Sequence, residues 1–159
     1  MNKSVERRIR FLLDAAKNEV KRDQVVTYAM RVLSNYATLG KDAGSIEIKK
    51  RNKRVSHSAQ TLLHKHGLVF FCKNTINEHP KPLKIIWQWL QDNADKLTVK
   101  EVWHEFASNP MVTITKDEDK MIKARGLNSA GNLQTRYTEL GIEVVILSET
   151  PNDYHTNSK

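Results

Sequence analysis

The sequence has 159 residues, little cysteine, glycine or proline, and no long apolar run. Its single cysteine, Cys72, cannot close an internal disulfide, and its apolar neighbours predict a buried, unreactive thiol. The longest apolar stretches, residues 67–72 and 144–147, are far too short to span a membrane. The charged first residues lack the apolar segment of a signal peptide. We therefore expect a cytoplasmic protein with no membrane contact.

Signatures of common enzyme sites are also absent. No phosphate loop, GxGxxG, CxxC pair or HExxH occurs, and one cysteine with scattered histidines does not suit zinc. A comparison of His64, His66, Asn74 and His79 with an HNH-type nuclease fails on spacing. His64 and His66 are two residues apart on a predicted helix, so their side chains would point about 200° away from each other. The acids at 117–119 are better explained as the start of a helix. We expect no enzymatic activity, no cofactor and no metal.

What the sequence does have is positive charge, and this charge is unevenly distributed. The formal net charge is +8. Residues 8–72 carry 13 Lys and Arg against 5 Asp and Glu, a net +8, whereas residues 82–146 carry 8 against 9, a net −1. Such a balance is typical of proteins that bind phosphate-bearing partners, above all nucleic acid.

The sequence also resembles itself when it is shifted by 74 positions. Residues 8–72 then lie on residues 82–146 without gaps, with nine identities in 65 positions against roughly four expected by chance. Apolar positions recur in register, for example Leu13 with Trp87 and Leu68 with Ile142. We predict an internal duplication. The alternative is two unrelated helical segments with similar amphipathic periods.

This alignment predicts the organisation of the chain. A basic unit would occupy residues 1–72, and a second unit residues 82–147. The polar segment 73–81 would link them, and residues 148–159 would form a flexible polar tail.

Apolar spacing and turn residues predict the same order of elements in both units. The first unit has predicted helices at 8–20, 24–36 and 56–66 and a strand at 68–72, and the second has helices at 83–93, 99–107, 117–125 and 129–140 and a strand at 142–147. Thr98 and Glu101 form a capping-box pattern.

This order is similar to that of a helix-turn-helix or winged-helix unit. Residues 121–136 look like helix, glycine turn and helix, although Asn132 and Thr135 stand where that motif normally has apolar core residues. We therefore predict a mainly α fold with short β strands, built from two tandem units that resemble winged-helix or looser helix-turn-helix domains.

A dense run of cations precedes the predicted helix 56–66, which we interpret as a recognition helix. We expect phosphate contacts from Lys49, Lys50, Arg51, Lys53 and Arg54, and base or sugar contacts from Ser56, His57, Gln60 and Lys65. The corresponding residues of the second unit are Lys123, Arg125, Asn128, Ser129, Asn132, Gln134 and Arg136. The alternative is that the basic run is only a solvated loop.

These features predict a non-enzymatic, nucleoid-associated protein that binds double-stranded DNA. It would be a transcriptional regulator, or a replication or origin-site binding protein, of a bacterium, plasmid or phage, and it could form a homodimer. The more acidic second unit could instead bind a protein. One alternative is an interaction module for a polymerase or a host factor, in which Trp89 contacts the partner. RNA binding is the other alternative.

Overall fold

The structure is a computed structural model that describes residues 2–127 and 133–154, the second range without the side chains of residues 133–135. This part of the chain forms eight helices and four strands. In chain order they are α1 Lys3–Lys17, α2 Gln24–Leu39, α3 Ser45–Arg51, β1 Arg54–Ser56, α4 His57–Asn74, β2 Thr75–Glu78, α5 Leu83–Asn93, α6 Val99–Ala107, β3 Val112–Thr115, α7 Lys116–Ala124, α8 Leu133–Glu139 and β4 Val144–Ile146. The fold is mainly helical with one small sheet, which confirms the predicted mainly α fold with short β strands.

Helices α1, α2, α5 and α6 bury their apolar faces in one shared core. Helix α1 supplies Ile9 and Leu12, and α2 supplies Leu33, all fully buried. Trp87 of α5 lies in the same core and is 4% exposed. Trp89 is partly buried against this core. The helical core therefore takes two helices from each half of the chain.

The sheet also joins the two halves. Its strand order is β2-β3-β1-β4, in which β1 runs parallel to β3 and the other two pairs are antiparallel. Each of these three pairings connects a strand from the first half to a strand from the second half. The predicted units 1–72 and 82–147 thus share one sheet and one helical core.

Helices cover both faces of the sheet. Neighbouring residues of a strand point to opposite faces, so each strand places apolar side chains in clusters on the two sides. Val55 of β1 packs with Leu63 and Phe71 of α4. Ile114 of β3 packs in a different cluster with Ile122 of α7. Helix α4 therefore lies on one face, and α7 and α8 lie on the other.

Several predicted elements are confirmed, and one is wrong. The helices predicted at 83–93 and 99–107 have those bounds, and Thr98 and Glu101 form the predicted capping box. Residues 68–72 do not form a strand but the end of α4. Phe71 is buried whereas Val69 is 85% exposed and Phe70 is 42% exposed, so one side of this segment packs inward, as on a helix.

The ungapped shift of 74 residues therefore loses register in the second part of each unit. It equates residues 68–72, which are helical, with residues 142–146, which include strand β4. The additional helix α3, which the sequence analysis treated only as a basic segment, accounts for the difference in length. The strand of the first half that follows α4 is β2, within the predicted linker 73–81.

Part of the predicted flexible tail is also packed. Pro151 is buried, and the backbone N–H of Asn152 donates a 2.9 Å hydrogen bond to the carbonyl of Lys50. Residues 155–159 lie outside the described residues. Among the helices of the described ranges, none combines the length and the apolar character that a membrane crossing requires.

Candidate functional site

The predicted cation cluster lies at the end of α3 and the start of β1. Asn52 fixes the turn between these elements, because its buried side-chain amide donates to the carbonyl of Met111 (3.0 Å) and to the hydroxyl of Thr113 (3.3 Å). Its side-chain oxygen accepts from the backbone N–H of Arg54 at 3.0 Å. The cations are therefore anchored to strand β3 rather than carried on a loose loop.

Lys49 contributes little to the surface, which argues against its predicted phosphate contact. Its side chain is only 8% exposed, and its ammonium group donates to the carbonyl of Cys72 at 2.9 Å. Burial lowers the pKa of Lys49 below its ordinary value. The helical period of α3 turns Lys49 inward together with Ile48, toward the end of α4.

Four other cations line a shared groove of about 400 Å³ on the surface. We call this the cationic groove; its charged lining residues are Lys41, Arg51, Lys53 and Arg54. Lys41 and Arg51 both contact Glu47, and their hydrogen bonds to this carboxylate lower its pKa. The groove therefore carries four cations beside a single paired carboxylate. Such an excess attracts anions, phosphate in particular.

The groove cations Lys53 and Arg54 differ in their surroundings. The ammonium group of Lys53 donates to the carbonyl of Ser148 at 2.7 Å. The Nε atom of Arg54 is buried and has no hydrogen-bond partner within residues 2–127 and 133–154. Lys50, the remaining cation of the cluster, is half-buried beside the groove.

The predicted recognition helix is the first part of α4, and its residues differ in accessibility. Ser56 is fully buried, which argues against its predicted base contact: its hydroxyl accepts from the N–H of Ala59 and donates to Glu118 at 2.6 Å. It is the N-cap of α4, which requires it to face the helix backbone. His57 and Lys65 are exposed, and Gln60 is half-buried.

Residues 148–154 bring this helix close to the cation cluster. Asn152 is hydrogen-bonded to Lys50, and two residues later the ring of Tyr154 stacks on His64 of α4, with 4.6 Å between ring centroids. Two residues of chain span at most about 7 Å. Residues 152–154 therefore connect the end of α3 to the exposed part of α4 that carries His64.

The cations of the second half are arranged differently. Lys123 is exposed but pairs with Asp119 at 2.6 Å, and Lys120 pairs with Asp117 at 3.0 Å. Arg125 is exposed. Asn128, Ser129 and Asn132 lie outside the described residues, as does the side chain of Gln134 in α8.

Arg136 is 1% exposed, which argues against its predicted contact with nucleic acid. Its guanidinium contacts the carboxylate of Glu78 and donates to the carbonyl of Pro80 at 3.2 Å, which ties α8 to the end of β2. The hydroxyl of Tyr137 donates to the same carboxylate. Burial raises the pKa of Glu78 to about 7, although Arg136 and Tyr137 both act to lower it. This cluster stabilises the fold instead of presenting charge to a partner.

Lys41 was missed in the sequence analysis because it follows the glycine that ends α2, ten residues before Arg51. The sequence signal was the single cation of the loop 40–44, which precedes the basic run. Only the orientation of α2 relative to α3 brings the two side chains to one groove.

No group of three or more His, Cys, Asp or Glu residues in the described part of the chain is arranged to hold a metal ion. Comparisons with protein-family models, curated proteins and solved structures give no match. The function is therefore inferred from the geometry and charge of the site alone.

Proposed function

We propose that this protein binds double-stranded DNA through the cationic groove, without catalysing a reaction. In this proposal the groove cations contact backbone phosphates, and the exposed side of α4, with His57 and Lys65, faces the duplex. Its role would be that of a transcriptional regulator, or of a replication or origin-site binding protein, of a bacterium, plasmid or phage.

The observation that carries this proposal is the convergence of four cations in one groove. Their positions come from three different segments: Lys41 from the loop after α2, Arg51 from α3, and Lys53 and Arg54 from the chain entering β1. Phosphate contacts provide most of the sequence-independent affinity for DNA and position a protein on the duplex. Arg side chains suit phosphate oxygens because of their forked donors.

The order of elements supports two related units of the winged-helix kind. When α3 is set apart and α4 is divided at Gly67, where the backbone is non-helical with φ 75°, each half has the order helix, helix, strand, helix, helix, strand. Exchanging the halves converts the strand order β2-β3-β1-β4 into its own reverse. An ancestral duplication followed by exchange of strands between the units accounts for this symmetry.

The proposal is tested by removing three exposed groove cations together, with Lys41→Ala, Arg51→Ala and Lys53→Ala in one variant. Its binding to a labelled random-sequence duplex is measured by fluorescence anisotropy over a range of salt concentrations. We expect about tenfold or greater weakening, and a salt dependence whose slope falls by about 2 to 3, since each lost phosphate contact removes about 0.9.

The matched control removes the same charge elsewhere, with Lys84→Ala, Lys96→Ala and Lys100→Ala on or beside α5 and α6, all exposed. We expect this control to lose clearly less affinity than the groove variant. Equal affinity and salt slope for the groove variant and the unmodified protein would contradict the proposal. Tighter binding to an RNA duplex of the same sequence would assign the groove to RNA instead.

A second candidate function is the binding of a protein, and a different surface favours it. Phe70 of α4 and Met121 of α7 are each 42% exposed and line one cleft of about 480 Å³. Exposed apolar side chains that share a cleft are typical of interaction surfaces. The partly buried Trp89, which the sequence suggested for this purpose, packs against the helical core instead.

A further inference from the structure

A second cleft lies apart from the cationic groove. It has a volume of about 850 Å³ and lies between α2, the loop into α3, the end of β2 and the start of α5. Volumes of this order are typical of sites for small molecules. No part of the DNA-binding proposal uses this cleft.

The floor of the cleft is apolar. Val32, Ile48, Leu83 and Met111 form it, and each is less than a tenth exposed. Tyr28 stands at the rim and is 59% exposed. The floor can therefore accept an apolar group, and the tyrosine ring can cover that group from the side of α2.

The lining carries two charges of opposite sign at neutral pH. These are the Arg31 guanidinium and the Asp42 carboxylate. The third titratable group of the interior, His79, is neutral, because burial and the nearby Arg31 lower its pKa to about 4. One cation and one anion remain above an apolar floor.

These two charged groups line the same cleft but do not form an ion pair with each other. Asp42 accepts a 2.8 Å hydrogen bond from the side-chain amide of Asn35, which lies one helical turn after Arg31 on α2. No carboxylate within the described ranges lies in ion-pair distance of Arg31. Asn35 thus holds Asp42 against α2, the helix that also carries Arg31.

We propose that this cleft binds a free α-amino acid with an apolar side chain. Its carboxylate pairs with Arg31, its ammonium group pairs with Asp42, and its side chain lies on the floor formed by Val32, Ile48 and Met111. A guanidinium group binds a carboxylate through two parallel hydrogen bonds. A zwitterion satisfies both protein charges at once, whereas a simple anion or cation leaves one unpaired.

The test is calorimetric titration of the intact protein with leucine, methionine and phenylalanine at up to about 10 mM, a range that detects millimolar affinity. Leucinamide, which lacks the carboxylate, and 4-methylpentanoate, which lacks the ammonium group, serve as matched ligands. We expect at least one of the three amino acids to bind, and both analogues of leucine to bind about tenfold or more weakly than leucine.

Variants then assign each ligand charge to its partner. Arg31→Gln should weaken leucine about tenfold or more and abolish the preference for leucine over leucinamide, and Asp42→Asn should do the same for the preference over 4-methylpentanoate. Arg125→Gln and Asp92→Asn are the controls, because both residues are exposed and lie outside the cleft.

Unchanged affinity in Arg31→Gln and Asp42→Asn would overturn the proposal, as would the absence of binding by all three amino acids. Both variants change exposed residues, so circular dichroism is expected to show unchanged folding. DNA is not present in this experiment, so its outcome is independent of the DNA-binding proposal.

Discussion

The cationic groove and the cluster around Glu78 use the same residue types in opposite ways. The groove sets four cations against the single carboxylate of Glu47 at the surface. In the cluster, Arg136 is matched by Glu78 in the interior, and Tyr137 supplies a further hydrogen bond to the same carboxylate. This comparison shows that the role of an arginine depends on its burial and on its ion-pair partner, and not on its charge alone.

The strongest contrast is expected in stability. Arg136→Met removes the partner of a buried carboxylate and should lower the free energy of unfolding by about 3–5 kcal/mol. Arg51→Met in the groove should change it by only about 0.5 kcal/mol, since Arg51 pairs at the surface. Urea denaturation at about pH 8.5, where Glu78 with its pKa of about 7 is ionised, measures both values. Comparable effects of the two substitutions would remove the distinction drawn between these regions.

A smaller effect is expected from pH. The pKa of Glu78 is raised from 4.5 to about 7, and that of His79 is lowered from 6.5 to about 4. The folded state therefore holds an extra proton on Glu78 between about pH 4.5 and 7, which makes this contribution to stability fall as pH rises. Between about pH 4 and 6.5, His79 is deprotonated in the folded state but still protonated in the unfolded state. Its contribution to stability therefore rises with pH.

Substitutions separate the two contributions, each of at most about 3 kcal/mol. Relative to the unmodified protein, Glu78→Gln should gain stability as pH rises from 4.5 to 7. His79→Gln should gain it as pH falls from 6.5 to 4. Denaturation midpoints over this range provide the measurement, and parallel pH profiles for all three proteins would show that neither group is perturbed.

The smallest expected effect concerns the exposed cations of the second half. Asp117→Asn together with Asp119→Asn releases Lys120 and Lys123 from their ion pairs. If paired carboxylates are what distinguishes this half from the groove, affinity for duplex DNA should increase severalfold, a gain of about 1 kcal/mol or less. Anisotropy titration at low salt detects it. An unchanged affinity would place these lysines away from the DNA.

Local sequence patterns predicted several helices because the interactions that define them are local. The capping box of Thr98 and Glu101 lies within one helical turn, and α6 begins after Thr98 as expected. In contrast, the run of Val69, Phe70 and Phe71 has the residue types of a strand. It continues α4, because Phe71 packs in one cluster with Val55 and Leu147 from elsewhere in the chain.

In the candidate site, too, local sequence patterns did not predict which residues face the solvent. The run 49–54 was found from composition, yet Lys49 is inward and Arg51 outward. Their separation follows from the helical period of α3, which the sequence analysis did not predict. Lys41 joins the groove only through the packing of α2 on α3, and Arg136 leaves the surface only because β2 brings Glu78 to it.

The sequence by itself determined the mainly helical character of this protein, the concentration of positive charge in its first half and the starts of its capped helices, since these depend on composition and on neighbours within a turn. The tertiary structure alone decided that strands pair only across the two halves, that four cations meet in one groove, and that Lys49, Ser56 and Arg136 are buried. Strand pairing and burial depend on contacts between residues far apart in the chain, and local periodicity cannot predict such contacts.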